Sequence, residues 1–444
     1  MYRILFIFGG HDSAYHFQAA EQLLEEKYQG QFELYFMDTY KIDDDPEEYA
    51  RGVRLSQQCD FIFIIIHGGL SYFKKFRDLF ESCRGKKIFI NSGIEDEVKE
   101  LMDKTCLTSW EYAAIYRYYA MGGSHNSFNL ILWLANRFHQ GTYPVEEPIM
   151  PKWEGLYDPE EEIADEESHI GKIAGSDKPV IGVLFYTNKI QDNNLEHIDS
   201  IIDHIKALGA VPLAVYTSIT RNDSLGTKGI DWVIDNYLMK DGRPLVDAVI
   251  NTAGFSLSIM ANPGDGTKVV EESILEKLGV PVLQAMTTYF TLEQWEQSLA
   301  GLDMMSLSSS VYQPEFDGQI ISVPVAYSQL VKDHIGEKRI FRPIEERVAK
   351  VCRLAVNWAR LRYIPQGEKK VAILFHNMPP RNDMIGCAFG LDSPETVYNI
   401  VESLEEIGIK TNFNFADSAE IINRIIDGVT NDTRWLPPEK MLEK

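Results

Sequence analysis

Short apolar runs that alternate with longer amphipathic stretches constrain the fold of this chain more than any other feature. In the first part of the chain, these runs fall at residues 3–8, 32–36, 61–66 and 87–90. Between the first two runs, residues 12–26 place Tyr15, Ala19 and Leu23 on one side of a helix. Strands that are apolar throughout are typical of parallel sheets covered by helices on both faces. The pattern therefore predicts an α/β fold.

The same alternation begins again at Lys178. An amphipathic helix is predicted at residues 194–208, closed by Gly209. Apolar runs predict the strands of a second parallel sheet at residues 179–187, 211–215, 248–251 and 280–284.

A third block begins at Lys370, where strands are predicted at residues 371–375 and 410–415. Each is followed by a helix, at residues 394–407 and 418–427. Two strands cannot close a sheet of this class. We therefore expect an incomplete third domain, or else an extension that docks on the second domain.

Together these blocks predict successive Rossmann-like or flavodoxin-like domains with mostly parallel sheets. An acidic run of seven carboxylates in residues 158–167 is typical of a solvated linker between domains. The predicted parts are a first α/β domain at 1–140, an extended acidic connector at 141–177, a second α/β domain at 178–340, and a helix with the start of a third domain at 341–444.

The charge balance limits the classes of partner. The chain carries 66 acidic and 43 basic residues, a net charge of −23. A surface this acidic repels phosphate backbones and anionic lipids, so we expect neither nucleic acid nor membrane as a partner. No apolar run is long enough to span a membrane, and Met1 leads into a strand without a signal peptide. The five cysteines form no C-x-x-C pair, and we expect a cytoplasmic protein.

Candidate ligand-binding residues lie where predicted strands end, since α/β proteins bind ligands at the carboxyl ends of their strands. Two such residues are His11, after Gly9-Gly10, and His67, before Gly68-Gly69. No G-x-G-x-x-G follows either strand. By contrast, His197 and His204 share one face of a helix, and we interpret them as solvated surface residues rather than metal ligands.

The loop after residue 375 is the richest of these strand ends. It carries His376, Asn377, Arg381 and Asp383 ahead of a helix that starts near Pro394. At neutral pH His376 can exchange a proton or ligate a metal in transit. It can equally bond the loop backbone, and the whole segment can be an ordinary crossover loop.

This loop, H-N-M-P-P-R-N-D-M-I-G-C-A-F-G-L-D-S-P from His376, resembles a segment of the CobN/magnesium-chelatase H-subunit family. The family pattern is N-Y-P-P-K-x-G-R-x-G-N-x-x-G-L-D-T-P. This chain departs from it at Met378, Asp383, Met384 and Cys387. Further similar segments follow one another in the family's order, at residues 119–130, 151–159, 251–255, 279–284, 295–302 and 313–321.

The resemblance implies the N-terminal portion of the large tetrapyrrole-binding subunit of an ATP-dependent metal chelatase. In this family ATP and Mg²⁺ belong to separate AAA+ partner subunits, and the inserted metal, cobalt or magnesium, is a substrate. The resemblance also implies that Arg381 pairs with a carboxylate of the tetrapyrrole. We expect no cofactor bound by this chain.

The chemistry of chelation is expected to lie elsewhere. The family's H-G-T and P-G-K motifs are absent from residues 1–444, as are a P-loop, H-E-x-x-H and a nucleophile elbow. We therefore predict no catalytic residues here, and a C-terminal part of the large subunit as a further partner.

Three functions remain open from the sequence. The helix at 347–362 and the N-M-P-P loop favour cobalt insertion into a corrin precursor, in cobalamin biosynthesis. A magnesium-protoporphyrin chelatase subunit is the first alternative. The second is a non-catalytic pair of periplasmic-binding-like or flavodoxin-like domains around a cleft, which binds a tetrapyrrole or another small ligand.

Overall fold

The computed structural model describes residues 1–9, 14–66, 68–261, 273–411, 415–429, 432, 434 and 439. The chain divides into two compact units, Met1–Ala359 and Arg360–Lys444. The first unit contains two sheets. We call residues 1–138, around the first sheet, the first lobe, and residues 155–359, around the second, the second lobe.

The first lobe is built on a four-stranded sheet in which every strand runs parallel to its neighbours. The order is β2-β1-β3-β4, so the chain reverses direction across the sheet between β1 and β3. The apolar runs predict these strands correctly. They are β1 (Tyr2–Phe8), β2 (Phe32–Asp38), β3 (Phe61–Ile65) and β4 (Lys87–Asn91).

Helices cover both faces of this sheet, which explains why β1 and β3 are apolar along nearly their whole length. The helices are α1 (Tyr15–Tyr28), α2 (Thr39–Asp44), α3 (Pro46–Gln58), α4 (Phe76–Ser82), α5 (Glu95–Leu101), α6 (Ser109–Met121) and α7 (Gly123–Phe138).

The second lobe contains a seven-stranded sheet in the order β13-β12-β11-β10-β6-β7-β5. Its five central strands are parallel and follow the doubly wound order 2-1-3-4-5, and an antiparallel strand closes each edge. The sheet strands are β5 (Gly155–Tyr157), β6 (Val180–Tyr186), β7 (Val211–Thr217), β10 (Ala248–Asn251), β11 (Val282–Thr288), β12 (Ile320–Lys332) and β13 (Glu337–Pro343). A small separate hairpin joins β8 (Met239–Lys240) and β9 (Arg243–Pro244).

The predicted α/β class with mostly parallel sheets is therefore confirmed. Amphipathic helices cover the second sheet, and the core lies between them and its strands. They are α8 (Glu166–Ala174), α9 (Asn188–Gln191), α10 (Glu196–Ala207), α11 (Gly229–Val233), α12 (Leu257–Ala261), α13 (Leu292–Gln297), α14 (Met304–Leu307), α15 (Gln313–Glu315) and α16 (Glu345–Arg360). Two π-helical turns lie at Ile234–Leu238 and Ser308–Tyr312.

An extended segment between the lobes is tied to α7 by asparagine side chains. Each side chain accepts a hydrogen bond from a backbone N–H of the segment, at 2.8–2.9 Å, in place of a partner strand. The pairs are Asn136 with Tyr143, Asn129 with Glu146, and Asn126 with Ile149.

The second unit consists mainly of helices α17 (Ser393–Glu406) and α18 (Ser418–Asp427), which pack on each other. None of the residues of α17 is buried. The strand predicted at 371–375 is wrong: these residues have no strand pairing, and the Leu374 side chain is 92% exposed. A strand needs a neighbour for its N–H and C=O groups, and no described residue of this unit forms a strand. The strand predicted at 410–415 lies partly outside the described residues.

Among the helices that the structure describes, none is long and apolar enough to cross a membrane.

Candidate functional site

The loop that contains four of the predicted site residues holds an ion pair between two of its own side chains. The Arg381 guanidinium forms a two-pronged ion pair with the Asp383 carboxylate, with Nε 2.9 Å from Oδ1. This hydrogen bond raises the pKa of Arg381 and lowers the pKa of Asp383. Asn377 Oδ1 accepts the backbone N–H of Arg381 at 3.2 Å. The structure thus brings three of the predicted residues together, and a ligand carboxylate must compete with Asp383 for Arg381.

His376 precedes Asn377 in this loop, and its side chain is exposed. Its backbone carbonyl accepts a hydrogen bond from the N–H of Gly386 at 2.8 Å, which holds residues 376 and 386 of the loop close together. An exposed imidazole at this position is accessible to a ligand, so its predicted role is compatible with the geometry but untested by it.

A second ion pair, which no sequence pattern indicated, contacts this loop from residues beyond α18. Arg434 donates to the Asp432 carboxylate from Nε at 2.9 Å and from Nη2 at 2.6 Å. Asp432 also accepts the backbone N–H of Asn382 at 2.9 Å, and Arg434 Nη2 lies 3.6 Å from Asp383. The hydrogen bond from Arg434 lowers the pKa of Asp432. No motif links positions 432 and 434 to the loop, because the contact spans about fifty residues.

The other predicted positions, His11 and His67, lie outside the described residues. The strands before them are described, however, and their ends can be placed. Residue Gly9 follows β1, and its N–H is bonded to the carbonyl of Ile65 at the end of β3. The ends of β1 and β3 are therefore adjacent at the carboxyl edge of the first sheet.

That edge faces the second lobe. Directly after β1, the first turn of α1 contacts two aspartates of the second lobe. Tyr15 Oη donates to Asp333 at 2.6 Å, and His16 Nε2 lies 3.0 Å from Asp192. Asp333 follows β12 and Asp192 follows the helix after β6. The carboxyl ends of the two sheets thus meet at one interface, which is where doubly wound proteins place their ligands.

A buried polar network supports the turn after β10, on the second-lobe side of this interface. Asn251 Nδ2 donates to Gln284 at 2.9 Å and to Gln319 at 3.0 Å, and all three side chains are buried. Gln284 and Asn251 both donate to the carbonyl of Ala253, at 3.0 and 3.1 Å. Because each polar group has a partner, the network fixes the turn in one conformation.

The turn itself carries an exposed aromatic ring. Phe255 has a φ of +65°, in the left-handed region that a bulky side chain rarely adopts, and its side chain is 38% exposed. The Tyr186 hydroxyl donates to the carbonyl of Gly254 at 2.7 Å, and the N–H of Phe255 bonds to the carbonyl of Ser309. The asparagine–glycine–phenylalanine segment was recognisable in the sequence, but its exposed ring was not.

The interpretation of His197 as a solvated surface residue is wrong. Its side chain is 1% exposed and lies beneath Phe341, with ring centroids 5.9 Å apart. Burial, followed by the nearby charge of Lys189, lowers the pKa of His197 to about 3. The ring is therefore a neutral core group. His204, on the same helix, is partly exposed and its Nδ1 lies 2.8 Å from the Ser200 carbonyl.

Within the described ranges, no group of three or more histidine, cysteine, aspartate or glutamate side chains is arranged to hold a metal ion. The polar groups described above suit hydrogen bonding and ion pairing with a ligand.

Comparisons with known proteins agree on one family. A family model described as CobN/Magnesium Chelatase matches residues 116–444. An uncharacterised protein of Methanocaldococcus jannaschii is 38% identical over 340 residues, which cover 74% of this chain and 27% of that protein. The aerobic cobaltochelatase subunit CobN of Pseudomonas aeruginosa is 26% identical over 395 residues, covering 88% of this chain and 30% of that subunit.

A solved structure shares the fold. The catalytic subunit of cobaltochelatase from Mycobacterium tuberculosis superimposes with a TM-score of 0.51 at 21% identity, covering 96% of this chain and 33% of that one. The chain therefore spans less than a third of the length of the two relatives named above, and a third of the solved subunit.

Proposed function

Because the chain belongs to the CobN/magnesium chelatase family, we propose that it is the N-terminal portion of the large subunit of a metal chelatase, which inserts a metal ion into a tetrapyrrole. The observation that carries this proposal is the family match over residues 116–444. The N-M-P-P loop at 377–380 and the asparagine–glycine–phenylalanine turn at 251–255 both fall within the match.

Cobalt and a corrin precursor are the proposed substrates, as in cobalamin biosynthesis. The likeness to a cobaltochelatase subunit over 88% of the chain, and a fold shared with a second one, support this choice. Magnesium and protoporphyrin are the alternative, since the family model covers both kinds of enzyme.

The role proposed for this chain is to bind and orient substrate, not to carry out the metal insertion. The planar guanidinium of Arg381 can form a two-pronged ion pair with a carboxylate of the tetrapyrrole. His376, in the same loop, is exposed. The remainder of the large subunit would supply the insertion chemistry, and AAA+ partner subunits would supply ATP hydrolysis.

A non-catalytic ligand-binding module is the second candidate. The facing carboxyl ends of the two sheets, joined through Tyr15–Asp333 and His16–Asp192, support it, because this is the arrangement of two-lobed binding proteins. Such a module would bind a tetrapyrrole or another small ligand without any chelatase partner.

Titration of the purified chain with hydrogenobyrinic acid diamide and, separately, protoporphyrin tests these proposals. Saturable quenching of protein fluorescence by the corrin precursor alone is the result expected for a cobaltochelatase. Preference for protoporphyrin would move the assignment to magnesium, and binding of neither would contradict a substrate-binding role for this chain.

The loop is tested by charge removal. In the complete subunit, reconstituted from this chain and its proposed C-terminal part, Arg381→Ala with His376→Ala should weaken tetrapyrrole binding about tenfold, equivalent to about 1.4 kcal/mol. Arg424→Ala, which breaks an exposed ion pair with Glu420, is the matched control. Unchanged affinity in the double variant would remove this loop from the site.

A further inference from the structure

Phe255 and Tyr289 are exposed rings on neighbouring turns at the carboxyl edge of the second sheet. Phe255 follows β10 and Tyr289 follows β11, and these strands are adjacent in the sheet. Their side chains are 38% and 46% exposed. Exposed aromatic rings on two neighbouring turns of this edge need an explanation, since this edge is where ligands bind.

Both residues are anchored to the same segment, residues 303–309. The N–H of Tyr289 bonds to Asp303 Oδ2 at 2.9 Å, and the N–H of Phe255 bonds to the carbonyl of Ser309. The Tyr186 hydroxyl further supports the turn that carries Phe255, because it donates to the carbonyl of Gly254. The turns that carry the two rings are thus both held by residues 303–309.

The backbone at Phe255 is strained, and the structure around it maintains that strain. A φ of +65° is unfavourable for any residue with a Cβ, and glycine would adopt it freely. The Asn251–Gln284–Gln319 network beneath the turn prevents the backbone at Phe255 from relaxing to a more favourable φ. An exposed phenylalanine kept at a position that suits glycine indicates that its ring has a use.

One cation lies over the Tyr289 ring, and a second lies over Phe341, the ring against which Tyr289 packs. The Arg339 guanidinium is 5.3 Å from the centroid of the Tyr289 ring. Tyr289 packs against Phe341 at 5.8 Å, and Lys189 Nζ is 4.2 Å from the Phe341 centroid. In a chain with a net charge of −23, this places positive charge next to an aromatic surface.

We propose that Phe255 and Tyr289 form an aromatic shelf that binds the flat face of a tetrapyrrole, while Arg339 and Lys189 attract its carboxylate side chains. Stacking on rings and pairing with peripheral cations are the two interactions that a flat, anionic macrocycle requires. The assignment rests on the proposed function for the ligand class, and adds candidate binding residues within Met1–Ala359.

The test uses the full 444-residue chain with hydrogenobyrinic acid diamide and, separately, monomeric protoporphyrin as the probes, and absence of binding means that neither probe binds. Phe255→Gly combined with Tyr289→Ala should weaken binding at least tenfold. Phe255→Gly alone relieves the backbone strain, so its thermal midpoint should equal or exceed that of the unmodified chain while its affinity falls. Tyr40→Ala, which removes a ring that is 54% exposed on the first lobe, is the matched control and should bind normally.

The outcomes separate the shelf from the proposed function. Binding by the unmodified chain that survives both ring substitutions would overturn the shelf and leave the chelatase role intact. Absence of binding by the unmodified chain would overturn both the shelf and a substrate-binding role for this chain. The dimethyl ester of protoporphyrin, which lacks the carboxylates, should bind more weakly than the free acid, and equal affinity would overturn the part assigned to Arg339 and Lys189.

Discussion

At the scale of single residues, burial changes the chemistry of a side chain more than its identity does. His197 occupies α10 at a position that packs under Phe341, and it is almost completely removed from water. Desolvation penalises the charged imidazolium, and the neighbouring charge of Lys189 adds to this penalty. A residue type usually associated with proton exchange is therefore neutral throughout the physiological range.

The first prediction concerns the acid stability that follows. The unfolded chain binds a proton at His197 near pH 6.5, whereas the folded chain does so only near pH 3. Stability should therefore be full above pH 6.5 and fall as the pH is lowered towards 3, by up to about 1.4 kcal/mol per pH unit. His197→Gln should cost about 1–2 kcal/mol at pH 7 but flatten this decline.

Urea unfolding at pH 7 and pH 5 measures both effects. His204→Gln, two turns along the same helix, is the matched control because it leaves the buried ring in place. An equally steep decline in His197→Gln and the unmodified chain would contradict the prediction.

At the scale of elements, α7 contacts both the sheet of the first lobe and the extended segment that follows the helix. Its apolar face packs on the sheet, with Leu130, Leu134 and Ile131 fully buried. Its asparagines Asn126 and Asn129, which are buried, and Asn136, which is half-buried, bind the segment that leads to the second lobe. The helix thereby fixes the path of the chain between the two sheets.

The second prediction tests this attachment. Asn129→Ala leaves the N–H of Glu146 without its acceptor in a partly buried site, and should cost about 1–3 kcal/mol of stability. It should also increase protease cleavage within residues 139–150, since the segment loses a point of attachment. Denaturant unfolding and timed digestion with proteinase K, which does not require the Lys or Arg that residues 139–150 lack, measure the two effects.

Asn188→Ala, at an exposed position, is the control and should change neither quantity. Cleavage of Asn129→Ala at the rate of the unmodified chain would show that the hydrogen bonds from the segment to the asparagines of α7 do not hold it in place.

At the scale of the whole molecule, polar contacts between α1 and the second lobe help to fix the positions of the two sheet edges relative to each other. Tyr15–Asp333 and His16–Asp192 join α1 to loops at the carboxyl end of the second sheet. The hydrogen bond from Tyr15, with the N–H groups of Gly336 and Ile335, lowers the pKa of Asp333 to about 2. This carboxylate therefore stays ionised wherever the protein is assayed.

The third prediction is that Tyr15→Phe combined with His16→Ala loosens this interface without unfolding either lobe. Amide hydrogen exchange should rise at least severalfold in residues 333–338 and in the first turn of α1, and remain unchanged in β3 and β10, which lie in the cores. The control is Tyr40→Phe, which alters an exposed ring of the first lobe. Uniform exchange across all segments would contradict a local role.

The fourth prediction concerns the second unit, in which residues 371–375 do not form the expected strand. Leu374 is 92% exposed, so Leu374→Glu should change the free energy of unfolding by less than about 0.5 kcal/mol. Ile421→Glu is the matched comparison within the same unit: it buries a charge at a 5% exposed site and should be strongly destabilising. A large cost for Leu374→Glu would mean that the segment is paired after all.

The sequence by itself determined the α/β class, the parallel strands of the first sheet, four of the five parallel strands of the second, and the positions of the main helices. These follow from apolar periodicity and helix signals, which act over a few residues. The same local signals failed at 371–375, because an apolar run becomes a strand only where another strand pairs with it.

Only the tertiary structure decided which side chains act together. His197 is buried by Phe341, which lies 144 positions away, and Arg434 reaches the 376–383 loop from beyond α18. The facing sheet edges and the exposed pair Phe255 and Tyr289 likewise come from contacts between distant parts of the chain. Burial, ion pairing and pKa depend on such long-range neighbours, and no local pattern in the sequence specifies them.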